Sequence, residues 1–224
     1  MIERPSPNHG PRPADTPVDM LVLHYTGMPD AASALDRLTD PAAQVSAHYL
    51  IDEDGEIVRL VPENRRAWHA GVASWRRATN VNGRSVGIEL VNPGHEHGYR
   101  PFPPAQMDAL VHLAAGILAR HPIPPRNVVG HSDVAPDRKQ DPGELFDWGA
   151  LAASGIGLWP KRLPKTADPA SVPAMLREYG YDPEQPGVMI AFQRHFRPAR
   201  IDGVADRECA RILAALLQSI ERRG

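Results

Sequence analysis

The sequence predicts an α/β fold: a central mixed β-sheet flanked by helices, with polar candidates at the strand ends and a small three-helix unit at the C-terminus. Three observations predict it. Short apolar runs at residues 20–23, 85–91 and 128–130 alternate with stretches of helical periodicity. Two of those runs lead directly into a histidine, His24 and His131. After Trp159 the strand-like runs stop and three helical stretches follow.

Taken in order, residues 1–17 read as an extended arm without a core of its own. Residues 20–23 form a continuous apolar run, as in a strand buried on both faces, and His24 stands at its end. Residues 30–39 carry Leu35 and Leu38 at helical spacing. Residues 45–61 read as two strands joined at Asp54-Gly55, a strong short hairpin signal. The strand at 85–91 places Val86, Ile88 and Leu90 on one face and Gly87 and Glu89 on the other. A carboxylate there is costly to bury unpaired, so Glu89 needs a reason to be present. From Pro104 to His121 the apolar residues keep strict helical spacing, and Pro103-Pro104 suits a first turn. Residues 128–130 then deliver His131 as the first strand delivers His24.

The stretch from His131 to Trp148 is polar and rich in turn formers, with Pro136 and Asp141-Pro142-Gly143 keeping it irregular. The expected boundaries are an arm at 1–17, a main α/β domain at 18–159, a linker at 160–170 and a helical unit at 171–224. Within that unit the helical stretches fall near 171–179, 187–196 and 205–222.

Composition narrows the function. The 224 residues are 42% hydrophobic and 23% charged, and the net charge is −2, so nucleic acid is not an expected partner. A single cysteine, Cys209, excludes a disulfide framework and a cysteine-rich metal site. It sits in an apolar helical pattern, as a packed thiol does. Any metal must therefore be held by His with Asp or Glu. No apolar run has the length of a signal peptide core or a membrane helix, which leads to the expectation of a cytoplasmic chain with no membrane and no obligate protein partner.

Three protein ligands with one open position are the pattern of a catalytic zinc site. His24, His131 and Asp141 meet it. Zinc held in this way lowers the pKa of its bound water towards ~7. Attack on an amide also needs a proton acceptor and a stabiliser for the oxyanion. Glu89 is the candidate for the first and Lys139 for the second.

Five segments, in order, carry a resemblance: His24-Tyr-Thr, Val45-Ser-Ala-His-Tyr49, Ala67-Trp-His-Ala-Gly71, Ser85-Val-Gly-Ile-Glu89, and Gly130-His-Ser-Asp-Val-Ala-Pro-Asp-Arg-Lys139-Gln-Asp141-Pro-Gly143. Over roughly residues 18–160 the sequence resembles the type-2, zinc-dependent N-acetylmuramoyl-L-alanine amidases, of the bacterial recycling type. The resemblance implies hydrolysis of the lactyl–L-alanine amide of muropeptides or anhydromuropeptides, with zinc on His24, His131 and Asp141. It gives Glu89 and Lys139 the catalytic roles reached above. Residues 188–195 with 201–204 resemble a small three-helix peptidoglycan-binding module, although Ala205-Asp-Arg-Glu208 stands where that module usually has Gly-Pro-x-Thr after its Asp-Gly turn.

Blander readings stand beside these. Asp141 also suits a turn, and Glu89 and Lys139 could be ordinary surface or ion-pair charges. Tyr49, Trp68 and His69 are the candidate substrate contacts, with core packing as the alternative for the first two. Two other functions carry the same motifs: a phage-type lytic amidase and a non-catalytic peptidoglycan-recognition module, which would have no need of Glu89 and Lys139.

Overall fold

The computed structural model describes residues 1–222; the last two residues of the expected C-terminal unit lie outside the described residues. In chain order its elements are β1 (Ile2–Glu3), β2 (His9–Pro11), β3 (Met20–Tyr25), α1 (Ala31–Thr39), β4 (Tyr49–Ile51), β5 (Ile57–Arg59), β6 (Arg65–Ala67), α2 (Val81–Arg84), β7 (Ser85–Leu90), α3 (Gly94–His97), α4 (Pro104–Arg120), β8 (Val128–Gly130), α5 (His131–Val134), α6 (Trp148–Ala153), α7 (Val172–Tyr179), α8 (Val188–Phe196) and α9 (Arg207–Glu221). Six strands form one mixed sheet in the order β1-β5-β4-β7-β3-β8. β3 lies parallel to both β7 and β8, and β4 is antiparallel to β5, as the hairpin signal predicts.

β3 is paired on both sides and buried on both faces, hence its unbroken apolar run. Its odd-numbered residues Leu21 and Leu23 join Val86, Ile88 and Leu90 of β7 beneath α4, whose Leu110, Ala114 and Ile117 face them. Its even-numbered residues Met20 and Val22, with Val129 of β8, face the other way, onto α7, α8 and α9. α1 covers the neighbouring part of that second face through Ala34 and Leu38 against Leu50 and Val58.

The structure differs from expectation at two places. Residues 1–17 are extended, yet they are woven into the fold: β1 adds an edge to the main sheet and β2 pairs with β6. Arg12 fastens them, donating to the carbonyls of Glu63, Gly83 and Ser85 at 2.8–2.9 Å. Burial lowers its pKa to about 10. The segment after β8 is irregular only from Ala135 onward, because residues 131–134 form a single helical turn, α5. There Asp133 accepts from the Gly130 N–H at 2.7 Å.

The C-terminal helices share one core with the sheet, with Phe192 fully buried among Trp75, Tyr181 and Phe196. Phe192→Ala is expected to lower unfolding free energy by about 3–5 kcal/mol. Because the core is common to both parts, helices and sheet should still unfold in one transition, checked by urea denaturation followed at two wavelengths. Two separated transitions would show that the helices form an independent unit.

Candidate metal centre and active site

β3 and β7 run in parallel register with His24 beside Glu89, and Leu23 of β3 pairs with Gly130 of β8, which places His131 next. Three functional side chains therefore emerge at the carboxyl edge of neighbouring strands, where open α/β sheets bind ligands. His24 and Glu89 share the face of Met20 and Val22 by strand alternation. The loop after α5 returns Asp141 to the same point, with the Ser132 N–H donating to the Asp141 carbonyl at 2.9 Å.

His24, His131 and Asp141 are all buried and converge. His24 Nδ1 lies 3.0 Å from His131 Nδ1 and 3.1 Å from Asp141 Oδ2, and His131 Nδ1 lies 3.0 Å from the same oxygen. The surrounding hydrogen bonds fix which ring nitrogens carry protons. His131 Nε2 faces the Ala70 carbonyl at 3.1 Å, which can only accept, so the proton is on Nε2. Ser85 donates its hydroxyl proton to the Val81 carbonyl at 2.7 Å and so accepts from His69 Nε2 at 3.0 Å. His69 Nδ1 is then an acceptor and receives the His24 Nε2 proton at 3.0 Å. Both zinc-candidate imidazoles thus present an unprotonated Nδ1 to each other and to a carboxylate.

Two lone pairs and a carboxylate oxygen about 3 Å apart repel one another unless a cation or proton lies between them. Two neutral imidazoles and one carboxylate, each imidazole tied through its other nitrogen, form a donor set that suits zinc with a coordination position to spare. Burial, then the neighbouring His131, lowers the His24 pKa to about 4, so its lone pair stays available at neutral pH. Burial opposes ionisation of Asp141; positive charge at His131 and His24, carried by a proton or by a cation among the donors, outweighs burial and holds the carboxyl well below the usual range.

The three donors line one end of a cleft of about 330 Å³ that also includes Glu89, Lys139 and Trp68. Glu89 Oε2 is buried and has no hydrogen-bond partner among the described residues. Burial, followed by the charge of Asp141, raises its pKa well above the ordinary carboxylate value, while Lys139 opposes that shift. Lys139 lies on the exposed side of the cleft and Asp141 on the buried side. The sequence-derived residues His24, Glu89, His131, Lys139 and Asp141 therefore meet in one place.

The candidate substrate contacts divide. Trp68 lines the cleft, held by Ser46 through its backbone N–H at 2.9 Å. His69 lines it too, but both ring nitrogens are engaged within the protein, by His24 and Ser85. Tyr49 requires a correction. It alternates onto the opposite face of the sheet with Ile51 and Ile88, and its hydroxyl donates to Glu63 at 2.6 Å. Sequence reasoning missed Ser85 and Arg138. Ser85 heads an apolar strand with no local sign that it meets His69, sixteen residues earlier. Arg138 also lines the cleft and donates to the carbonyls of Ala70 and Val72.

Comparison with known proteins agrees with this geometry. Residues 14–144 match the family model described as N-acetylmuramoyl-L-alanine amidase. This chain belongs to that family. It is 45% identical to the N-acetylmuramoyl-L-alanine amidase AmiD of Escherichia coli, over 90% of this chain and 83% of AmiD. It is 37% identical to the 1,6-anhydro-N-acetylmuramyl-L-alanine amidase AmpD of Enterobacter cloacae, over 66% of this chain and 87% of AmpD. The solved complex of E. coli AmiD with anhydro-N-acetylmuramic acid-L-Ala-D-γ-Glu-L-Lys superposes with a TM-score of 0.81, covering 92% of this chain and 91% of that one. AmpDH3 of Pseudomonas aeruginosa with anhydromuramic pentapeptide gives 0.80 at 37% identity, covering 92% of this chain and 94% of that one.

A Cβ at Gly87 would stand 2.5 Å from His69 Cγ, so glycine is what lets His69 reach His24. Gly87→Ala is expected to weaken divalent-metal binding about 10–100-fold by displacing that support. Competition with a chromophoric chelator measures it, and unchanged affinity would remove His69 from the account.

Proposed function

We propose that this amidase is a zinc enzyme hydrolysing the lactyl–L-alanine amide of muropeptides and anhydromuropeptides, as in peptidoglycan recycling. The observation that carries the reading is the convergence of three unprotonated donors with the unpartnered Glu89 carboxylate in one cleft. The anhydromuramic peptides in the solved complexes of its relatives support the substrate class.

His24, His131 and Asp141 would hold the zinc, which supplies Lewis acidity to the scissile carbonyl and acidifies a water. Glu89, whose burial makes it a stronger proton acceptor than an exposed carboxylate, would take a proton from the water and return it to the leaving amine of L-alanine. The Lys139 ammonium, at the cleft and near enough to influence Glu89, would stabilise negative charge developing on the carbonyl oxygen. Trp68 offers an apolar wall for the glycan or peptide. A recognition module would have no use for the Glu89 and Lys139 pair, which favours the enzyme. A cytoplasmic setting belongs to the same proposal; fractionation tests it separately, and recovery with the cell envelope would move the chemistry outside.

Glu89→Gln is expected to lower turnover about 10²–10⁴-fold while zinc remains bound. Because the base must be ionised, kcat/KM should fall as pH drops through the Glu89 pKa, with the acid limb above the ordinary carboxylate range. Near-normal turnover in the variant would reject the assignment.

The substrate is tested by incubating the enzyme with a soluble anhydromuropeptide and with its unmodified counterpart, with and without chelator, and detecting free stem peptide by mass. Release from both, abolished by chelator and restored by zinc, is expected. Binding without release would leave a recognition module, and release from intact sacculi alone a lytic amidase.

A further inference from the structure

α8 runs along the segment that supplies two of the three metal donors and touches it at both ends. At its start, Gly187 has φ +78°, and a Cβ there would lie 2.4 Å from the Pro136 carbonyl oxygen, so two backbones meet where only glycine fits. Near its end, His195 Nδ1 reaches Asp133 Oδ2 at 2.7 Å. The next residue back, Arg194, stands 3.6 Å from Glu144.

Asp133 is 2% exposed. A carboxylate buried to that degree must have its hydrogen bonds supplied by the protein. One comes from Gly130, which immediately precedes the turn that begins with His131. The other two come from the C-terminal part: the His195 ring and the Tyr181 hydroxyl, each at 2.7 Å. The His195 ring is itself stacked on Trp148, at 3.7 Å between centroids and 15° between planes. Asp133 does not line the cleft, and the family match ends at residue 144. Tyr181 and His195, which complete Asp133 from the C-terminal part, do not line the cleft and lie outside the matched family segment.

We propose that His195, Tyr181 and Gly187 act as positioning residues, bracing residues 130–141 so that His131 and Asp141 stay converged on His24. The inference rests on the zinc reading above and extends it: the C-terminal helices set metal retention.

The test uses the full chain as wild type, His195→Ala, His195→Asn and Tyr181→Phe. Three quantities are measured: zinc affinity by chelator competition, the unfolding midpoint of the metal-free protein, and KM for an anhydromuropeptide. His195→Ala should weaken zinc binding about tenfold, at the low end for outer-shell partners, with KM unchanged. His195→Asn, whose amide N–H can still reach Asp133, should restore most of the affinity, and Tyr181→Phe should show a smaller loss. If zinc affinity in the folded variants stays within about twofold of wild type while the midpoint falls, the helices only pack, and the brace is overturned with the zinc reading intact. Should His195→Ala not fold, Tyr181→Phe decides in the same way. A wild-type chain that takes up no zinc overturns both.

Discussion

The parallel pairing of β3 with β7 on one side and β8 on the other fixes where chemistry can occur. Parallel strands in register end together, so residues that follow or terminate them are delivered to one edge. His24 and Glu89 are cross-strand neighbours, and strand alternation turns both toward the same face. His131 arrives one residue beyond β8, in the first turn of α5. Only Asp141 and Lys139 depend on loop conformation, and the loop is tied to α5 through the Ser132–Asp141 backbone bond.

From that geometry follows a problem of like partners, which the fold answers with protons. Two imidazoles and a carboxylate packed out of water would repel if each nitrogen offered a lone pair to nothing. The fold commits the protons to the far side of each ring, toward the Ala70 carbonyl for His131 and toward His69 for His24. The direction of the second chain is set at its remote end, where Ser85 donates to the Val81 carbonyl. Glu89 is treated differently: one oxygen has no partner among the described residues, and burial raises its affinity for a proton.

Much of this was legible in the sequence. The apolar runs of β3, β7 and β8 and the stripe of α4 are long or regular enough to read, and His24, Glu89, His131, Lys139 and Asp141 sit at positions those elements define. The remainder depends on contacts that local patterns do not encode. β1, β2 and β6 are two or three residues long and exist through partners far along the chain. Tyr49 follows His48 in a motif, and only strand pairing reveals that it faces Glu63 on the opposite side of the sheet. The Asp133–His195 contact joins residues 62 apart, each with an unremarkable local setting.

The common core of the sheet and the C-terminal helices also limits how such a chain can be divided. Met20, Val22 and Val129 are at most 1% exposed with α7–α9 in place. Without those helices the β3–β8 end of the sheet would meet water along an apolar strip, the kind of surface through which chains associate indiscriminately. The C-terminal segment is thus poor material for exchange between proteins as a ready-made cassette. A recombinant that grafts another tail onto this catalytic half inherits the requirement for an apolar lid of matching shape.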